Sequence, residues 1–412
     1  MKIKFLILFL YLAKEGFEYF VRYLNLRHMK AAGTEAPPEL RGKVDEDVMR
    51  KMVDYEAENT RFGFFSGAAD NAVAVVFIWG GALDVFNSWI AGLGLSFAAA
   101  GWLFFLLLFY AGQLLGAPFG LYHTFRIENK YGFNTMGFRL WGCDFSKSLL
   151  IETAIITALA FAGFALVGWS PRHWWFWVWG FLFIFGIFIM YISPYLIEPL
   201  FNKFVPVEDE ALRQEISKMA GRAGIRVSRV LKVDASKRSR HTNAYFTGIG
   251  RTKRIVLFDT LLQGMDHKEI LSVLAHEIGH WKKKHLLKTM ALFEAASFAG
   301  LWAASILIRS DMLTRIFGLS ADTVYAKLLL LGLVAGIFSL PLRATANYLS
   351  RRHEKEADAF SRGLADGNGM ISALVKLSRE NLSNLNPHPL FVALYYSHPP
   401  VAERIRYIEA MK

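Results

Sequence analysis

The sequence predicts a mainly α, multi-pass membrane protein with a small sheet in its soluble part. Three observations predict it. Apolar residues make up 54% of the 412-residue chain and aromatics 15%, both above the soluble globular average. They are clustered: no Asp, Glu, Lys or Arg occurs between Asp84 and Arg126, between Glu152 and Arg172, or between Arg172 and Glu198. The remaining charges gather in the segments that connect these runs.

A helical crossing of a bilayer needs roughly 20 mainly apolar residues, which sets the elements in order. Lys2 and Lys4 precede the apolar run Phe5–Ala13 as in a signal peptide. No small-x-small cleavage site follows, so 5–23 is expected to be a retained first helix. Segment 24–62 is a charged linker with Pro37–Pro38 and a helix over Asp45–Asn59. Phe64–Ile90, carrying Asp70 and Asp84, and 95–118 are the next spans. Segment 119–148 is polar and aromatic, with a turn at Tyr131–Gly132. Spans 151–170 and 174–197 follow it.

The first sizeable soluble segment, 201–285, opens with a helix near Asp209–Ala223 that Gly224 stops. Val227–Val233 and Arg254–Asp259 read as strands, with Asn243–Thr247 between them. Thr289–Ile308, containing Glu294, and Leu328–Leu342, extended upstream to Tyr325, complete about seven spans. Pro341 kinks or ends the last. Segment 347–412 reads as mainly helical. The expected division is an N-terminal membrane region, 1–200, with about five spans and loops 24–62 and 119–148. A domain over 201–412 follows, interrupted by two spans at about 287–308 and 325–343.

The formal net charge is +12. No nucleic-acid-binding motif accompanies it, so no nucleic-acid partner is expected. The basic residues follow the loops instead. Seven spans put 24–62, 119–148, 199–286 and the C-terminus on one side. The other side keeps Lys2, Lys4, Arg172, Arg309, Arg315 and Lys327. Positive charge favours the cytoplasmic face, so the N-terminus is expected outside and the soluble domain in the cytoplasm. Cys143 is the only cysteine, which rules out an intramolecular disulfide and a multi-cysteine zinc site.

Residues 276–280 read His-Glu-Ile-Gly-His. Asp266 with Glu269 three residues on is a capping box, and Ile270, Val273, Leu274 and Ile278 follow at helical spacing. On a helix, residues i and i+4 share a face one turn apart, so His276 and His280 can reach one Zn²⁺. Glu277 stands beside that face, where a base acting on water belongs. A catalytic zinc needs a third protein ligand. Glu354 and Asp358, one turn apart, nominate themselves as ligand and as partner of a ligating histidine. His353 is the local rival, and Glu356 points elsewhere.

At these residues the chain resembles the type I CaaX prenyl endopeptidases, membrane zinc proteases that remove the last three residues of farnesylated proteins. The resemblance runs along nearly the whole chain. It takes in Tyr23–Arg27, Ile127–Asn134, Glu198–Phe204, Ser236–Ser239, Asn243–Phe246 and Arg254–Leu262. The metal motif, Glu354-x-x-x-Asp358 and Ser397–Pro400 complete it. It implies a gluzincin, zincin-like metalloprotease domain facing a water-filled chamber ringed by seven helices. One Zn²⁺ per chain is implied, held by His276, His280 and Glu354, with Glu277 as general base. It also implies that Asn243 and Ala244 bind substrate backbone by strand addition. His398 and Arg404 are implied to hold the substrate or its oxyanion. A chamber would also accommodate Glu18, Asp70, Asp84, Glu152 and Glu294 at the predicted spans.

The chain resembles the shorter, bacterial members, so a bacterial inner membrane is expected ahead of the endoplasmic reticulum. The expected partners are a peptide or protein substrate, prenylated in the CaaX reading, and the lipid bilayer, with the protein a monomer. Three rivals remain at this stage. One is a heat-shock-type quality-control protease with no prenyl requirement. Another is a site-2-type intramembrane protease, disfavoured because Lys282–Lys284 follow His280 at once. The last is a catalytically silent scaffold, disfavoured by the intact Glu277.

Overall fold

The computed structural model describes residues 2–247 and 252–411. Seven helices form a ring: Lys2–Ala32, Glu46–Trp79, Phe97–Tyr122, Phe138–Trp169, Trp174–Ile192, His285–Ile308 and Val324–Ile337. Each packs on the next in chain order, with the short helix Ala82–Gly92 joining the second to the third. The last returns to pack on the first. Among the described residues, five helices are long and apolar enough by themselves to cross a membrane. None has more than 22% of its most apolar stretch buried against protein, as expected of a single-layer wall.

The first helix is outside those five because its two faces differ. Ile3, Phe5, Phe9 and Phe20 are exposed on it. Opposite them, Glu18 pairs with Lys14 at 2.9 Å and Arg343 at 3.4 Å, and Tyr11 donates to Asn71 at 2.6 Å. Pairing inside the ring makes those polar groups tolerable at membrane depth. With 31 residues, the helix is long enough to cross at 1.5 Å per residue, about 46 Å in all.

Several boundaries differ from expectation for local reasons. The linker helix and the second span form one helix, Glu46–Trp79, because only Gly63 interrupts the pattern between them and one glycine is tolerated. That span does not run to Ile90. It breaks at Gly80–Gly81, where Gly81 takes φ +93, a conformation costly to other residues. Beyond the break, Asp84 accepts from the Ser320 N–H at 2.6 Å and Asn87 donates to the Ala321 carbonyl at 2.8 Å. With Lys4 on the Phe317 carbonyl at 3.0 Å, these bonds close that end of the ring. A core of Leu83, Phe104, Phe164, Phe317 and Tyr325 lies under the closure. The last span bends by 60° into Ser339–Leu364. Pro341 lies in the first turn of that helix, where no N–H is needed.

The sheet has strand order β1-β2-β4-β3. β1 is Phe204–Pro206, which its proline hid from the sequence reading. β2 is Arg226–Val233, β3 Ala244–Thr247 and β4 Thr252–Phe258. β2 and β4 are parallel, and β3 lies antiparallel to β4 on the sheet edge. Ile255 and Leu257 of β4 pack with Ile216 of helix Glu210–Arg222 and Leu274 and Ile278 of helix His267–Lys282. A second core joins Leu40, Met49 and Met52 near the N-terminus to Leu374 and Ile405 near the C-terminus. It brings together chain segments far apart in sequence.

Candidate metal centre

The motif helix is His267–Lys282. Its capping box forms as read: Asp266 accepts from the Glu269 N–H at 2.9 Å, and Glu269 accepts from the Asp266 N–H at 2.9 Å. Its buried face crosses Ser339–Leu364 at Gly279. A Cβ at Gly279 would lie 3.0 Å from the Ala357 Cα and 3.1 Å from its carbonyl oxygen. Absence of a side chain there lets the helices approach until Glu354 reaches both histidines.

Three ligating atoms converge. His276 Nε2 and His280 Nε2 are 3.1 Å apart. His280 Nε2 lies 3.0 Å from Glu354 Oε1, and His276 Nε2 lies 3.4 Å from Glu354 Oε2. Tetrahedral ligands about 2.0–2.1 Å from zinc stand about 3.3–3.4 Å from one another, so the donors are spaced for such an ion. Glu354 Oε2 is also buried without a well-formed hydrogen bond, although His398 Nδ1 lies 2.8 Å away. Among the described residues, no other group of three His, Cys, Asp or Glu side chains is so arranged.

Each histidine is oriented through its other nitrogen. His276 Nδ1 faces Asp358 Oδ1 at 2.8 Å. Arg404, itself buried, clamps Asp358 with Nη2 at 2.6 Å and Nε at 2.9 Å. His280 Nδ1 faces His285 Nδ1 at 3.0 Å, and His285 Nε2 faces Glu356 Oε2 at 3.1 Å. His353, the rival ligand, stacks on His285 with centroids 4.1 Å apart. Burial would lower the His276 pKa, but hydrogen bonds with Asp358 and Glu354 outweigh it and hold the pKa above the usual value. Glu354 stands on the charged part of its helix, beyond the apolar layer. Burial would raise its carboxyl, yet the close approach of His276, His280 and His398 keeps it well below the usual carboxylate range.

Glu277 and His280 line a cavity of about 560 Å³ with Tyr245, Phe246, Tyr195 and Trp281. The edge strand β3 thus forms one wall and the end of the fifth span another. Asn243 is exposed just before β3, its Oδ1 accepting from the Ala244 N–H at 2.8 Å. Ala244 is buried opposite Leu257. His398 is 63% exposed at its side chain and already borders the site, with Nδ1 2.8 Å from Glu354 Oε2. Arg404 does not line that cavity; besides Asp358 it approaches the centre directly, with Nη1 3.6 Å from Glu354 Oε2 and Nη2 3.3 Å from His276 Nδ1.

The sequence reading missed His285. It follows Lys284, a non-glycine residue at φ +56, which swings the start of the next helix back onto His280. A third histidine five residues after His280 was the available signal.

A ring of membrane helices with this two-histidine, one-glutamate centre defines an integral membrane metalloendopeptidase. Comparison with known proteins narrows the class. Residues 25–203 match the family described as CAAX prenyl protease N-terminal, five membrane helices, and residues 206–412 match peptidase family M48. The chain is 32% identical to CAAX prenyl protease 1 of Saccharomyces cerevisiae, over 96% of this chain and 92% of that protein. It is 30% identical to the CAAX prenyl protease 1 homolog of Homo sapiens, over 94% of this chain and 91% of the other. The crystal structure of S. mikatae Ste24p superposes with a TM-score of 0.93 at 29% identity, over 98% of this chain and 99% of that one. The chain belongs to peptidase family M48.

Proposed function

We propose that the protein is a zinc endopeptidase that removes C-terminal residues from prenylated CaaX substrates. The observation that carries the chemistry is the convergence of His276, His280 and Glu354 at 3.0–3.4 Å beside Glu277. Two nitrogens and one oxygen suit zinc better than the hard, oxygen-bound cations. Zinc held there supplies Lewis acidity, which brings the pKa of a water down to about 7. Glu277 accepts the proton of the attacking water and returns it to the leaving amine. His398, exposed and next to Glu354, donates to the developing oxyanion. Asp358 fixes the tautomer and orientation of His276, and Arg404 holds Asp358, so Arg404 acts as a positioning residue. The free edge of β3 takes the substrate backbone in extended form, with Asn243 and Ala244 at the start of that edge.

The substrate class rests on the names of the relatives and on the length over which they match. We assign the domain division at residue 201, a cytoplasmic metal site, a monomer and a bacterial inner membrane on the charge pattern and the resemblance. The test incubates purified protein with a farnesylated peptide and its unprenylated twin, with chelator and with zinc added back. Cleavage of the farnesylated peptide, lost with chelator and restored by zinc, is expected. Equal cleavage of both peptides leaves the protease, removes the CaaX assignment and favours quality control. No metal-dependent cleavage of either removes the peptidase reading.

A further inference from the structure

A second cavity, of about 830 Å³, shares Pro194 and Tyr195 with the metal-site cavity but lies beyond them. Six cations line it: Lys147, Lys203, Arg229, Lys237, Arg238 and Arg254. A single carboxylate, Asp234, faces them and accepts from the Lys203 backbone N–H at 2.6 Å. Two cations are satisfied within the protein. Arg238 forms a fork to Asp144 at 2.7 and 3.0 Å, and Lys147 donates to the Leu200 carbonyl at 2.8 Å.

Arg229 and Arg254 are different. They are register partners on β2 and β4. Val230 and Ile255, the next residues along, face the helical core, so strand alternation puts both arginines on the opposite face. Like charges side by side on one sheet face repel. Among the described residues, neither arginine has an ion pair. Arg254 lies 4.8 Å over the Tyr195 ring, and its Nε is buried with no hydrogen-bond partner. A buried guanidinium donor is rarely left unmade, and such a gap points to an absent acceptor.

The surroundings indicate which acceptor. Tyr191, Tyr195, Leu196 and Leu200 are exposed where the fifth span ends. Aromatic side chains at such a level mark the boundary between hydrocarbon and water. Cationic pockets at the cytoplasmic mouth of membrane helices suit lipid headgroups.

We propose that this cavity binds the phosphate of an anionic phospholipid, with Arg229 and Arg254 as its paired ligands and Lys203 and Lys237 at the rim. A phosphate between the two guanidiniums turns their repulsion into attraction and matches their planar forks. The acyl chains lie along Leu196 and Leu200, which a soluble phosphate cannot use. The site borders the peptidase cavity through Pro194 and Tyr195, and the proposal does not depend on the substrate assigned to that cavity.

The test measures the Tm of the purified full chain in an uncharged detergent. Phosphatidylglycerol, phosphatidylcholine or inorganic phosphate is titrated in turn. Phosphatidylglycerol is expected to raise Tm more than the other two. The Arg229→Gln/Arg254→Gln variant is expected to need roughly 30-fold more phosphatidylglycerol for the same shift. Arg229 is exposed, so Arg229→Gln alone serves if the double variant does not fold, with a loss of about fivefold. An undiminished lipid response in these variants overturns the proposal. Inorganic phosphate matching phosphatidylglycerol overturns the lipid assignment, and phosphatidylcholine matching it overturns the need for net negative charge.

Discussion

At the residue scale, two side chains separate chemistry from metal binding. Glu277 lines the cavity without belonging to the converging ligand set. Glu277→Ala is therefore expected to leave metal content unchanged while cleavage falls by about 10²–10⁴-fold, the usual worth of a general base. Metal analysis alongside turnover checks it, and normal turnover would remove Glu277 from its role. Asp358 has the opposite profile. It touches His276 Nδ1 at 2.8 Å, so Asp358→Asn is expected to weaken metal affinity by about 10–100-fold. Competition with a chromophoric chelator reads this directly, and an unchanged affinity would refute the orienting role. The two cases also differ in legibility. His276, Glu277 and His280 could be read because helical spacing is local. Glu354 lies 74 positions beyond His280, and spacing could only nominate it. His285 could not be placed, because its contact depends on the Lys284 backbone turn.

At the scale of elements, the decisive feature is the crossing of the motif helix with the helix bearing Glu354. Helices with ordinary side chains at the contact lie 8–10 Å apart. Here Gly279 faces Ala357, and an added Cβ would meet backbone at 3.0 Å. Backbone cannot yield as a flexible side chain can, so Gly279→Ala must separate the helices by several tenths of an ångström. A destabilisation of about 1–3 kcal/mol is expected, the usual effect of overpacking. The two histidines and Glu354 lie on opposite sides of that contact, so metal affinity should fall as well. Thermal denaturation with and without zinc tests this. Wild-type stability together with wild-type metal affinity would show that the crossing has slack. The remaining elements were legible where their signals were local. The capping box, the Gly224 stop at φ +73 and the two strands near Val227–Val233 and Arg254–Asp259 formed as read, while their parallel pairing was not read. The Gly80–Gly81 break was missed because the apolar run continues across it, and hydropathy does not register a φ of +93.

At the scale of the whole molecule, about seven spans were legible because a bilayer demands long apolar runs, whereas their ring arrangement came only with the family resemblance. The closure of the ring was not legible, since that depends on bonds such as Lys4 to Phe317, 313 positions apart. The proposed orientation can be tested on one atom. Cys143 is the only cysteine in the chain and is exposed. It lies near the start of helix Phe138–Trp169, one residue before Asp144, which Arg238, between β2 and β3, grips at 2.7 Å. The thiol must therefore share a side of the membrane with the metal centre. In the proposed orientation that side is the cytoplasm. In intact cells, a membrane-impermeant maleimide is expected to leave Cys143 unlabelled, and permeabilisation should expose it. A cysteine introduced at Ser310, an exposed residue at the opposite end of the ring, should react without permeabilisation. The reverse pattern would invert the protein and put the metal centre outside. Labelling of both positions from one side would contradict an odd number of crossings between them.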